Sequence, residues 1–218
     1  MEKYWYNSIK KYVSGKVLEV GCGNGANTEL ILGNDDIELT CIDPDKTLIE
    51  GITNRVSKSA NKHKLLNVFN CTIHNLDWIK YKFDCVMYID VLEHIENDQF
   101  DLQVSVNYLK KGGYLIVLCP AFPMLFSPFD SAIGHFRRYK RRSLGSIPLN
   151  SAELIESYYL DSAGFFASLI NKLFLRQSVP TVKQIQFWDK FIVPVSKISD
   201  KLLSKYFGKS VICIWQKL

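Results

Sequence analysis

No stretch of the 218 residues is apolar for long enough to span a bilayer. The best one, residues 163–175, is broken by Asn171 and Lys172. The chain begins Met-Glu-Lys-Tyr-Trp with no apolar signal core, which speaks against a cleaved leader and for a cytoplasmic protein. Internal repeats, low-complexity tracts and flexible linkers are also lacking, so one α/β domain over residues 1–218 is expected. The six cysteines form no C-x-x-C pair, so neither a zinc site nor a redox dithiol is indicated, and no metal is expected. Cys41, Cys71, Cys85, Cys119 and Cys213 fall in expected core strands and Cys22 in a glycine-rich turn. The plain reading is buried free thiols in a reducing compartment.

What is present is an ordinary globular composition, 47% hydrophobic and 22% charged, carrying a net charge of +5. That charge is unevenly spread. Arg137, Arg138, Lys140, Arg141 and Arg142 crowd one segment, which reads as a solvated face or as a grip on an anionic acceptor, a nucleic acid or an acidic membrane surface.

Tyr4, Trp5, Ile9 and Tyr12 recur at helical spacing, so residues 2–13 read as a short amphipathic helix, an N-terminal cap within residues 1–15. Val17, Leu18 and Val20 form a first strand, and the pattern turns helical over 26–32. Further strands are expected at 38–42, ending at Asp43, and at 66–73, 83–89 and 114–119. The run 83–89 has almost no polar residue, as in a strand covered on both faces. A polar helix is expected over 51–59, and another over 95–109 that Lys110-Lys111-Gly112-Gly113 would end. This alternation predicts a doubly wound, mostly parallel α/β sheet. After Pro120 the pattern loosens, and residues 120–150 read as an excursion from the sheet. Within it, Gly145 and Pro148 make 143–150 seem too short for a helix. A strand over 154–159, helices over 163–176 and 184–206, and a last strand over 210–216 complete the count.

The most informative stretch is Lys16-Val17-Leu18-Glu19-Val20-Gly21-Cys22-Gly23-Asn24-Gly25. A strand ends in an acid and turns through three glycines into a helix whose free N–H groups face the turn. Gly21, Gly23 and Ala26 formally satisfy the dinucleotide pattern G-x-G-x-x-G/A. A carboxylate at Glu19, however, would repel a pyrophosphate and attract an ammonium. S-adenosylmethionine carries an ammonium and no phosphate. Asp43, at the next strand tip, stands where an acid takes both ribose hydroxyls of an adenosine.

The order acid-x-Gly-x-Gly-x-Gly resembles the first motif of the Rossmann-like, class I S-adenosylmethionine-dependent methyltransferases. Asp90-Val91-Leu92-Glu93-His94 is similar to that family's fourth-strand motif, and 109–115 to its approach to the fifth strand. Gly134-His135-Phe136-Arg137-Arg138-Tyr139, four residues after Asp130, with the early Tyr4-Trp5, resembles a bacterial subgroup often encoded near polysaccharide-assembly enzymes. The resemblance implies a seven-stranded sheet with an antiparallel last strand. It implies S-adenosylmethionine as cofactor, leaving as S-adenosylhomocysteine. The implied cofactor residues are Trp5, Glu19, Gly21, Cys22, Gly23, Gly25, Asp43, Pro44, Thr72, Ile73, Asp90, Val91 and His94. Thr72 stands where many relatives carry an acid toward the adenine amino group, a departure from the pattern.

Methyl transfer from a sulfonium is an in-line displacement governed by orientation. A hydroxyl acceptor also needs a base, and histidine titrates in the right range. His135 is the candidate, with Asp90 and Tyr139 beside it as candidate catalytic residues. Asp130, His135, Arg137 and Arg138 are candidates for holding the acceptor, although the arginines have the alternative of pairing with Asp90 or Asp130 and ordering their loop. The expected activity is methylation, at oxygen, of a small or carbohydrate-like acceptor. Alternatives are an RNA methyltransferase that grips phosphates with 137–142, and a cofactor-binding module without catalysis. Against the RNA reading, there is no appended RNA-binding module and no Asn-Pro-Pro-Tyr-like motif.

Overall fold

The computed structural model describes residues 2–56, 59, 61–77, 80–170, 172 and 186–218. Helix α1 (Glu2–Ile9) continues as a 3-10 turn and leads into β1 (Gly15–Val20). There follow α2 (Ala26–Ile31), β2 (Ile37–Asp43), α3 (Lys46–Val56), β3 (Leu65–Asn70), β4 (Phe83–Ile89), α4 (Asp98–Tyr108) and β5 (Leu109–Pro120). The remainder comprises α5 (Pro128–Ala132), α6 (Arg141–Gly145), β6 (Ala152–Leu160), α7 (Ser162–Ile170), a π-helical turn (Trp188–Ile192), α8 (Val193–Leu203) and β7 (Ser210–Lys217).

The seven strands form one sheet in the order β3-β2-β1-β4-β5-β7-β6. β1 to β5 pair in parallel, while β7 lies antiparallel between β5 and β6. The expected sheet is the one observed. Along β1 and β4 successive side chains enter opposite faces. Val17, Cys85 and Met87 join one buried cluster with Trp5, Ile9 and Ile214, and Leu18, Val86 and Tyr88 join another with Leu115 and Trp215. Both faces are therefore covered, as the apolar run 83–89 required. The strand order reverses between β1 and β4, and such a switch point opens a crevice at the carboxyl ends of the strands.

Several boundaries differ from expectation. β3 ends at Asn70, so Cys71 is only partly buried beyond the strand, and Ile73 lies in a 3-10 turn (Ile73–Asn75). Helix α4 stops at Tyr108, and the lysine-glycine stretch belongs to β5. Leu109 already pairs with Phe83, and Tyr114 pairs with Cys85, so 110–113 bulge out of the ladder. Lys110 is pinned there by two contacts to Asp84, at 2.8 and 2.7 Å. A short helix, α6, does form inside 143–150, started by Ser143 bonding back to Lys140. Parts of the helices expected over 51–59, 163–176 and 184–206 fall outside the described residues.

Two buried acids tie the C-terminal helices to the sheet. Asp200 accepts from Tyr4 Oη and from the Asp161 and Ser162 amides, and Asp161 accepts from Trp188 Nε1 and Ser196 Oγ. Among the described residues no helix is long and apolar enough to cross a membrane.

Candidate cofactor and acceptor site

The glycine turn leaves β1 in a left-handed conformation, with φ of +69° at Gly21 and +53° at Gly23. A Cβ on Gly21 would stand 2.6 Å from both Val91 methyls, so this glycine clamps the turn against the segment following β4. Around Gly23 nothing lies within 4 Å of such a Cβ, which leaves that face open to a ligand. Asp43, buried at the tip of β2, shapes the turn from the other side. Its Oδ2 accepts from the Gly23 amide and its Oδ1 from the Asp45 amide, each at 2.8 Å. Each oxygen keeps capacity for a further donor such as a ribose hydroxyl. The amides of Gly21 and Cys22 both donate to the Ile42 carbonyl, and the carbonyls of Asp43 and Pro44 take the Asn70 amide group.

Glu19 lies beneath the turn with 2% of its surface exposed. Thr28 Oγ1 donates to its Oε2 at 2.6 Å. Burial raises its carboxyl to about 7, against the hydrogen bonds from Thr28 and Cys41. A cationic amine brought to such an acid would draw off its proton and hold it ionised. Gly25 caps α2, and Cys22 is buried in the cluster that also contains Trp5. Trp5 itself is packed in that core, 4% exposed, and reaches the turn only through this packing. Thr72 spends its hydroxyl locally on Asn75 Oδ1, and Ile73 is buried.

Beyond β4 the backbone turns sharply. Asp90 has φ of +55°, a strained conformation for a residue with a side chain, and its amide bonds to the Leu118 carbonyl. Asp90 is exposed just beyond the carboxyl end of β4. The enclosing atoms raise it to about 6, while the Lys209 ammonium acts in the opposite sense. Two side chains then meet the loop that returns from β5. Glu93 is fully buried, and neither of its carboxyl oxygens has a hydrogen-bond partner. Burial, with a smaller contribution from the Asp90 charge, raises it to about 9. His94 is exposed, and its ring lies edge-on to His135, with centroids 4.5 Å apart at 84°. Burial of part of the ring and the neighbouring His135 lower its pKa.

Asp130 is the node of the returning loop. It accepts from Arg138 Nε and Nη2 at 2.8 and 3.0 Å and from the Ser127 amide and hydroxyl at 2.8 Å. Its Oδ1 lies 2.9 Å from His135 Nδ1. Burial opposes ionisation, yet these partners outweigh it and hold the acid at about 2. The far nitrogen, His135 Nε2, stands 3.7 Å from Glu93 Oε1. The Phe136 amide bonds to the Glu93 carbonyl and seats the loop on the post-β4 turn.

The structure thus brings together Gly21, Gly23, Asp43, Asp90 and Val91, and separately His94, His135 and Asp130. Other expected acceptor-side groups are engaged in ordering the loop. Asp130 is fully buried under Arg138. Arg137 pairs with Asp98 at 3.1 Å and donates to the Glu96 carbonyl. Tyr139 is buried, and its hydroxyl donates to Asp98 Oδ2 at 2.7 Å, with its ionisation pushed far up by burial and that acid. The roles in catalysis or acceptor binding expected for Asp130, Arg137, Arg138 and Tyr139 would have to be combined with these pairings. The arginines do pair with acids, but the acids are Asp130 and Asp98, not Asp90. Sequence reasoning assigned no role to Glu93 or Lys209. Glu93 stood inside a quoted motif, and a second acid beside a histidine was a usable signal.

Residues 18–115, from β1 into β5, match the family model described as a methyltransferase domain. A ubiquinone biosynthesis O-methyltransferase of Rickettsia typhi is 33% identical over 115 residues, 53% of this chain and 44% of that protein. The chain therefore spans less than half the length of the curated relatives it matches. Among solved structures, coclaurine N-methyltransferase bound to N-methylheliamine and S-adenosylhomocysteine superposes with TM-score 0.65 at 14% identity, covering 100% of this chain and 72% of that one. The cyclase SpnF superposes with TM-score 0.66 at 15% identity, covering 98% and 80%.

The residues present fit S-adenosylmethionine. Gly23 leaves an open cradle, Asp43 offers acceptors at a strand tip, and Glu19 is an acid that a nearby ammonium would ionise. Losing a charged hydrogen-bonding partner costs roughly 1.5–3 kcal/mol. Asp43→Ala is therefore expected to weaken cofactor binding by about ten- to a hundredfold by calorimetry. Unchanged affinity would remove Asp43 from the site.

Proposed function

We propose that this protein transfers the methyl group of S-adenosylmethionine to a hydroxyl oxygen of a small or carbohydrate-like acceptor. The observation that carries the reading is the Asp130–His135 pair beside Glu93 and His94, next along the chain from Asp90 and Val91. A neutral His135 that donates from Nδ1 to Asp130 keeps a lone pair on Nε2. This is the tautomer a proton acceptor requires. As the acceptor oxygen forms its bond to the methyl carbon, the carbon–sulfur bond breaks and S-adenosylhomocysteine leaves. The hydroxyl proton passes to the His135 cluster. Alignment of sulfur, methyl and oxygen supplies most of the acceleration.

Supporting the small acceptor, Arg137 and Arg138 turn into internal ion pairs, which leaves the basic segment less to offer a nucleic acid. The oxygen acceptor draws support from the O-methyltransferase relatives, and the carbohydrate-like class from the Gly-His-x-Arg-Arg-Tyr resemblance. Against a module without catalysis, buried titratable groups with displaced pKa values cluster where chemistry is done. The cyclase with the same fold shows that architecture alone does not decide the reaction.

The test is to incubate the protein with methyl-labelled cofactor and fractionated cell extract. Label is expected in a small-molecule or saccharide fraction. Label confined to RNA would replace this reading with the RNA one, and cofactor binding with no label in any fraction would leave only the binding module.

A further inference from the structure

Five cations crowd residues 137–142, and internal ion pairs account for two of them. Arg137 pairs with Asp98 and Arg138 with Asp130, just as Arg55 pairs with Glu29. Arg141 and Arg142 differ. Among the described residues neither guanidinium has an ion pair or a hydrogen-bond partner. Both line one open cleft of about 390 Å³, together with Gly145, Ser146, Leu154 and Ser157. That volume is at the small end of ligand pockets, which run roughly 300–1,000 Å³.

Among the described residues no carboxylate lines the cleft, and the pleat of β6 explains why. Leu154 and Ser157 stand opposite Trp215 and Cys213, on one face of the sheet. Glu153 and Glu156 stand opposite Gln216 and Ile214, on the other. Helix α6 is fixed over the first of these faces. Leu144 is fully buried, the Arg141 amide donates to Tyr159 Oη at 3.0 Å, and a Cβ on Gly145 would stand 2.9 Å from a Leu154 methyl. The charge of Arg141 is felt at Cys213, a buried thiol of β7. A guanidinium held against apolar surface without a counter-ion is costly, and an anion in the cleft relieves that cost. The half-buried Ser157 hydroxyl has no partner among the described residues, whereas Ser146 Oγ is turned to the Ser143 carbonyl at 3.2 Å.

We propose that Arg141, Arg142 and Ser157 form a binding site for one phosphate group, free or carried on a small organic molecule. A planar guanidinium presents paired N–H donors that match two phosphate oxygens, and the serine hydroxyl supplies a further donor. A nucleic acid would ask for several phosphate contacts along a track, and Arg137 and Arg138 are already spent on internal acids. β5 and β7 lie between β6 and β4, so the cleft is separate from the crevice beside Asp90. The inference therefore does not rest on the methylation reading.

The full chain is titrated by calorimetry with inorganic phosphate and, separately, with glycerol phosphate, in a buffer free of other oxyanions. One saturable site per chain is expected. Arg141→Gln and Arg142→Gln should each weaken it by at least about tenfold, the usual worth of a charged hydrogen bond. Lys140→Gln removes an exposed charge of the same segment outside the cleft, and should change affinity by less than about threefold. Arg142 is exposed, so Arg142→Gln keeps the test open whatever Arg141→Gln does to α6. Tighter binding of glycerol phosphate would assign the site to a phosphorylated small molecule, and equal binding to the free ion. Absence of saturable binding by both probes would overturn the proposal. So would losses in the arginine variants no larger than in Lys140→Gln, which would reduce the site to diffuse charge. Tight binding of an RNA oligonucleotide, steeply weakened by salt and with both small probes unbound, would replace the site with a nucleic-acid surface.

Discussion

Asp130→Ala is expected to cost more stability than any other single change in the acceptor-side loop. The carboxylate is fully buried, takes both Nε and Nη2 of Arg138, caps α5 through Ser127 and holds His135. Deleting one member of a buried pair leaves the other charge uncompensated, which costs roughly 3–5 kcal/mol. For a chain of this length each kcal/mol moves the midpoint by about 2–4 °C, so a fall of roughly 6–20 °C is expected in thermal unfolding. The pH dependence has a definite sign. Asp130 is held at about 2 against an ordinary 3.8. Its contribution is present above the unfolded value and lost as pH falls toward 2. The stability gap between wild type and Asp130→Ala should therefore be full at neutral pH and close in acid. A melting temperature unchanged at neutral pH would show that Arg138 finds another partner and that Asp130 is not the node.

The parts of the fold and site that were legible in the sequence are those written in short-range pattern. The β1–turn–α2 unit could be read because strand, acid and glycines are contiguous and each glycine has a local reason. Gly21, for instance, excludes a Cβ that Val91 would strike. The apolar run of β4 was legible for the same reason, whereas the antiparallel setting of β7 came from the family resemblance. The stretch Lys110–Gly113 was misread because lysine and glycine after a helix are also good capping chemistry. The contact that decides the matter, Lys110 to Asp84, comes from a neighbouring strand. Trp5 was placed by resemblance beside the cofactor, and its burial in the core cluster with Cys22 could be read only from the structure. On the acceptor side, chemistry-bearing residue types could be recognised, but their pairing could not. Arg138 and His135 share Asp130, and Arg137 shares Asp98 with Tyr139, because the loop folds back onto the tip of β5. The Ala121–Tyr139 bridge and the Tyr139–Pro120 bond fix that return. Nothing local in the sequence announces it. Glu93 needed the same information, since a buried acid is notable only once a histidine from another loop is seen to face it.

His135→Ala is expected to lower turnover by about a hundredfold or more, the usual worth of a positioned proton acceptor. Cofactor affinity should change little. The side-chain contacts of His135 are to Asp130, Glu93 and His94, whereas the cofactor turn is shaped by Asp43, Ile42 and Val91. Among the described residues the two sets meet through the short segment from Asp90 to His94. The loss should therefore appear in kcat, with the KM for S-adenosylmethionine held. Because the ring also supports Asp130, His135→Asn serves as the control for folding. Its amide can still donate to Asp130, but it has no nitrogen lone pair to face Glu93. If His135 readies the acceptor, His135→Asn should melt near the wild type and yet be as slow as His135→Ala. If the histidine only props the loop, His135→Asn should recover both stability and turnover. A fast His135→Asn enzyme would thus move the search for the group that ionises the acceptor to Asp90, the open, strained acid at the rim of β4.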